Sequence, residues 1–167
     1  MLAFARRVSE RHAVKRPGWY ERIVMIRVVA ASAVAAMLFG EHDGPWVHAL
    51  LSGPPLIVPG IFHFELGNTC RMKCRRHPDE AEALLANWLD WNSEPPVTAM
   101  ATDLIATMHL AWDHNLTFYD ASYLWLAQDR AAELISLDNA LVLAARSLGV
   151  QAPSPGDGDQ TTPRSRN

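Results

Sequence analysis

Glu65, Asp120 and Asp138 are the side chains whose type and spacing suit chemistry, and each comes from a different segment. Glu65 follows the β-branched run Leu56 to Val58. Asp138 follows Leu134 to Leu137, and Asp120 stands near the start of a helical pattern opening at Tyr119. In open parallel α/β sheets, ligands collect outside the carboxyl ends of the strands. Carboxylates gathered there repel one another unless a divalent cation joins them. Mg²⁺ and Mn²⁺ favour oxygen ligands, retain waters and bridge to phosphate oxygens. The chemistry such a cluster would support is therefore metal-assisted phosphodiester hydrolysis. An ordinary reading stands beside it, in which Asp120 and Asp138 cap helices and Glu65 is solvated on one.

The elements that must position these acids alternate. Short buried strands are expected at Ile26 to Val29, Leu56 to Val58, around Val97 and at Leu134 to Leu137, with Val150 opening an edge strand. Between them, helical patterns run over Ala33 to Phe39, Pro45 to Leu51, Phe62 to Arg76, Asp79 to Trp91, Leu104 to Trp112, Tyr119 to Asp129 and Leu141 to Leu148. Leu104, Ile105, Met108, Ala111 and Trp112 repeat as one amphipathic face. Strands separated by helices pair in parallel, because parallel neighbours need crossover connections. The expected fold is a three-layer α/β/α arrangement around a parallel sheet of four to five strands.

Length and charge narrow the partners. The chain has 167 residues, enough to bury a core without disulfides, and a net charge of -3. Residues 1–27 carry seven Lys/Arg against two Glu, whereas residues 28–150 carry six against 14 Asp/Glu. An acidic body does not hold nucleic acid through clustered Lys/Arg alone, so such a partner would need a metal at the contact. The longest mainly apolar stretch, Val28 to Phe39, is 12 residues and falls short of a bilayer span of ~20. Residues 1–24 read as a disordered basic extension, with the folded unit over 25–150. Residues 151–167 read as a disordered Pro/Gly/Ser-rich tail. With no export pattern and two cysteines, the expected compartment is the cytoplasm.

Four short motifs then fall in order: Val28-Val29-Ala30-Ala31-Ser32-Ala33, Glu65-Leu66-Gly67-Asn68, Tyr119-Asp120-Ala121 and Ser136-Leu137-Asp138. In this order and spacing the chain resembles PIN domains, most closely the VapC-type toxins of type II toxin–antitoxin pairs. The resemblance spans roughly Met25 to Val150. It implies a Mg²⁺- (or Mn²⁺-) dependent endoribonuclease, a homodimer, an RNA substrate and a cognate VapB-like antitoxin. It also implies that Glu65, Asp120 and Asp138 form the metal site, with Ser32, Asn68 and Ser136 orienting carboxylates or waters.

One position departs from the pattern. The family has Asp at the end of the first strand, and this chain has Ala30. Water can replace the lost oxygen but not its charge, so catalysis is expected to be reduced or absent. A non-catalytic PIN-like module that sequesters antitoxin or RNA is the alternative.

Other signals carry less. Arg71, Lys73, Arg75 and Arg76 are a basic cluster in the acidic body, read as an RNA or antitoxin contact or as a match to the helix dipole. Cys70, Cys74 and His77 share a helical face but lack a fourth ligand for zinc. Trp88, Trp91, Trp112 and Trp125 read as packing residues, with base stacking open to one of them.

Overall fold

The structure, a computed structural model, describes residues 25–157. The basic extension over 1–24 and residues 158–167 of the tail lie outside the described residues. Among the described residues, four strands, β1 (Arg27–Val29), β2 (Leu56–Pro59), β3 (Thr98–Met100) and β4 (Glu133–Ile135), form one sheet in the order β3-β2-β1-β4. Every pairing is parallel, with Val28 beside Ile57, Val29 beside Ile135 and Pro59 beside Met100. Val28, Val29, Val58, Leu134 and Ile135 are fully buried, as central strands covered on both faces require.

Among the described residues, seven helices surround the sheet: α1 (Ala31–Leu38), α2 (Gly44–Leu51), α3 (Phe62–Arg76), α4 (Ala81–Ser93), α5 (Leu104–His114), α6 (Phe118–Asp129) and α7 (Asn139–Ser147). A 3₁₀ turn, Pro78–Glu80, separates α3 from α4. Helices α1 to α4 pack on one another, while α6 lies across β1, β2 and β4 with α5 and α7 beside it. The result is the expected α/β fold with a four-stranded parallel sheet. Helix α2 starts close against α1, because a Cβ on Gly44 would lie 2.7 Å from the Ala36 carbonyl oxygen.

Three local expectations change. Helix α1 begins at Ala31, two residues early, because Ala30 is its extended N-cap. Helix α5 buries Thr107 and Ala111, leaving Leu104, Ile105, Met108 and Trp112 exposed, so all of its apolar stripe but Ala111 faces away from the core. Val150 opens no strand. Beside β4, only the Gln151 carbonyl is engaged, accepting from the Leu134 N–H at 2.8 Å.

Residues 151–157, which the sequence assigns to the tail, are tied to α7. The Arg146 guanidinium donates to the Ala152 carbonyl at 2.8 Å and pairs with Asp157 at 2.5 Å.

Candidate active site

The carboxyl ends of β1 and β4 bring several predicted residues together. Ala30 stands where β1 ends, 4% exposed, its N–H donating to the Ile135 carbonyl at 2.9 Å. Its carbonyl receives the first helical bonds of α1, yet its methyl side chain caps nothing. Ser136, one residue past β4, is buried, and its Oγ lies 3.4 Å from that of Ser32. The Asp138 N–H donates to Ser136 Oγ at 3.0 Å, and the Leu137 N–H donates to Ser32 Oγ at 3.3 Å. The two serines thus clamp the turn that presents Asp138. That carboxylate is the N-cap of α7, accepting from the Leu141 N–H at 2.9 Å.

Glu65 and Asp120 form a second grouping. Glu65 lies in the first turn of α3 and Asp120 in the first turn of α6, each at the positive end of its helix. Thr117, the N-cap of α6, accepts from the Asp120 N–H at 3.0 Å and donates its hydroxyl to Asp120 Oδ2 at 2.6 Å. The Tyr123 hydroxyl donates to Glu65 Oε2.

Burial pushes the Glu65 carboxyl above the usual carboxylate range. The Tyr123 hydrogen bond opposes this, and the neighbouring Asp120 charge reinforces it. Burial raises the Tyr123 hydroxyl far above its ordinary value, with the Glu65 charge adding to the effect, so it remains a proton donor. Two carboxylates that repel each other inside a partly desolvated site are a donor set suited to a divalent cation.

Among the described residues, however, no three His, Cys, Asp or Glu side chains converge into a ready cage. The Asp120 charge reaches Glu65, while Asp138 is turned to its capping bond. Such a pair still fits Mg²⁺, which binds through one or two carboxylates and keeps several waters.

The remaining predicted residues spread over α3. Asn68 is exposed, and its Oδ1 accepts from Arg71 at 3.3 Å. Lys73 turns away to Glu41 at 2.6 Å and lies over the Phe39 ring, which divides the basic cluster. Cys70 and Cys74 donate to the Leu84 and Ala81 carbonyls of the facing helix. Tyr123 and the N-cap Thr117 are site residues that sequence reasoning missed. A tyrosine within an apolar helical run reads as core, and its ring is indeed 1% exposed.

No protein-family model matches the chain. Ribonuclease VapC3 of Pyrobaculum aerophilum is 30% identical over 118 residues, spanning 68% of this chain and 90% of that protein. The chain belongs to the VapC family of PIN-domain ribonuclease toxins.

The fold itself is shared with a solved structure. The crystal structure of PAE2754, also from Pyrobaculum aerophilum, superposes with a TM-score of 0.60 at 22% identity, covering 77% of this chain and 84% of that one. A fainter likeness is to VapC20 of Mycobacterium tuberculosis, with a TM-score of 0.49 at 18% identity, covering 71% and 94% of the two chains.

Proposed function

We propose that this VapC-family chain is the toxin of a type II toxin–antitoxin pair and hydrolyses RNA phosphodiester bonds with Mg²⁺ or Mn²⁺. The observation that carries this reading is the Glu65–Asp120 pair, two mutually repelling carboxylates held at two helix N-termini. Glu65 and Asp120 would hold the cation, with Asp138 at the edge of the site where a second ion or the attacking water would sit. Bound there, the cation would supply Lewis-acid stabilisation of the phosphate and a more acidic water.

The chain's own groups prepare that site. Tyr123 fixes one Glu65 oxygen and leaves the other free of it. Thr117 steadies Asp120, and the Ser32–Ser136 contact sets the turn before Asp138.

Ala30 supports lowered activity, because it stands at the end of β1 where the resemblance expects a carboxylate. The same observation favours a second reading, a PIN-like binding module that sequesters antitoxin or RNA without cleaving. Cleavage of RNA by the purified chain in Mg²⁺ or Mn²⁺, abolished by EDTA and by Asp120→Asn, separates the two. Metal-independent RNA or antitoxin binding with no cleavage, even after Ala30→Asp, would favour the binding module.

Two partners belong to this proposal. One is a VapB-like antitoxin, and the other is a second copy of the chain. The α5 stripe of Leu104, Ile105, Met108 and Trp112 supports the homodimer, since an exposed apolar face of that kind marks an interaction surface.

A further inference from the structure

Helix α3 carries more than Glu65. At 3.6 residues per turn, Asn68, Arg75 and Arg71 lead from the Glu65 edge of the helix round to the face that meets α4. A cavity of about 410 Å³ opens there. Gly67, Leu85 and Trp88 line it with the two thiols, and Arg71 and Arg75 complete it as exposed cations. Gly67 explains how the indole is seated. A Cβ there would lie 3.5 Å from Trp88 Cζ2, so the ring lies almost directly on the helix backbone.

The cations stand out against the charge of the body. Among the described residues, Arg27, Lys73, Arg130 and Arg146 each pair with a carboxylate. Arg71, Arg75 and Arg76, all on the last turns of α3, meet none among those residues, although Asp and Glu outnumber Lys and Arg there. A largely apolar groove with an aromatic wall and guanidinium groups at its side suits a planar, aromatic, anionic ligand. An unpaired nucleotide has that chemistry, with the base inside and its phosphates outside.

We infer that the α3–α4 groove is a subsite for an unpaired nucleotide of the RNA, its base against Trp88 and its flanking phosphates on Arg71 and Arg75. The inference rests on the ribonuclease reading and extends it. Continuity favours RNA over an acidic peptide. A strand leaving the Glu65–Asp120 pair along α3 meets Asn68 within one turn, Arg71 after about 9 Å and Arg75 after about 15 Å. Those spans are a few nucleotides, so substrate held in the groove would thread back to the acids.

The test is binding of a short fluorescein-labelled single-stranded RNA to the full chain in EDTA, followed by anisotropy across a salt series. The double variant Arg71→Gln/Arg75→Gln should bind at least tenfold more weakly. Its log–log salt slope should fall by about 1.4, at ~0.7 for each single-strand phosphate contact. Gly67→Leu fills the slot without touching charge and should weaken binding about fivefold or more with an unchanged slope. Gly67→Ala, whose methyl stays at ordinary contact distance from Trp88, guards against a folding artefact and should weaken binding in the same direction.

Unaltered RNA affinity in these variants overturns the subsite. So does an acidic peptide that binds the wild type and loses affinity in Arg71→Gln/Arg75→Gln while RNA binding is untouched. The assay leaves Glu65 and Asp120 intact and contains no free metal. Its failure is therefore separable from failure of cleavage in Mg²⁺, which would count against the ribonuclease reading instead.

Discussion

The Tyr123 hydroxyl on α6 donates to Glu65 Oε2 on α3, so one buried phenol links the two helices that carry Glu65 and Asp120. A buried carboxylate needs such a donor, since desolvation without a hydrogen bond disfavours its charged form. The bond also restricts the rotation of Glu65. Tyr123→Phe should preserve the fold, because only the hydroxyl is lost. It should weaken Mn²⁺ binding several-fold, measured by calorimetry, while the melting temperature of the metal-free protein shifts little.

The raised Glu65 value sets a pH signature. A carboxyl raised above its unfolded value leaves stability intact at low pH and costs stability as pH rises through the folded value. Metal-free Glu65→Gln should therefore match wild type at acid pH and melt higher than wild type at neutral pH. Excess Mg²⁺ should narrow or reverse that gap, since a ligand of the native state stabilises only the chain that binds it. Thermal melts in EDTA and in Mg²⁺, across pH, read both outcomes.

Restoring the missing acid gives a prediction of opposite sign. Ala30→Asp places a carboxylate at the end of β1, at an N-cap position now filled by a residue that does not cap. RNA cleavage in Mg²⁺ should rise at least about tenfold, in line with the several kcal/mol that such electrostatics supply. Equal activity in both chains would mean that position 30 does not face the metal.

Packing yields a prediction independent of the site. In Gly44→Ala the new Cβ would lie 2.7 Å from the Ala36 carbonyl oxygen, a backbone atom without a rotamer to change. Urea unfolding should report a loss of about 1–3 kcal/mol, the usual cost of overpacking.

The α5 stripe allows a direct check of assembly. Trp112 is 85% exposed and Ile105 72%, so Trp112→Glu removes little from the monomer's core. Light scattering after size exclusion should show a dimer for wild type and a monomer for the variant, with similar melts. A monomeric wild type would remove the homodimer from the proposal.

Much of this architecture is legible in the sequence. Val28-Val29 and Leu134-Ile135 are short β-branched or aliphatic pairs, and both are fully buried at the centre of the sheet. Glu65 and Asp138 read from the sequence as acids that follow strands, Asp120 as one near a helix start, and Ser136 as the hydroxyl before the last acid. Three features depended on contacts between distant segments. Tyr123 reaches Glu65 across 58 positions of sequence, a link that helical periodicity does not encode. The stripe on α5 has the right spacing for a core face, yet spacing does not say which face turns inward, and Thr107 is buried instead. Lys73 looks equivalent to its basic neighbours until Glu41 and Phe39 draw it away.

The most direct measurement of the central claim is Mn²⁺ binding followed by electron paramagnetic resonance, on the full chain and on Asp120→Asn. The account predicts saturable binding by wild type and a loss of at least tenfold in affinity when Asp120 is neutralised. Mn²⁺ bound equally well by both proteins would contradict the assignment of Glu65 and Asp120 as the ion-holding pair.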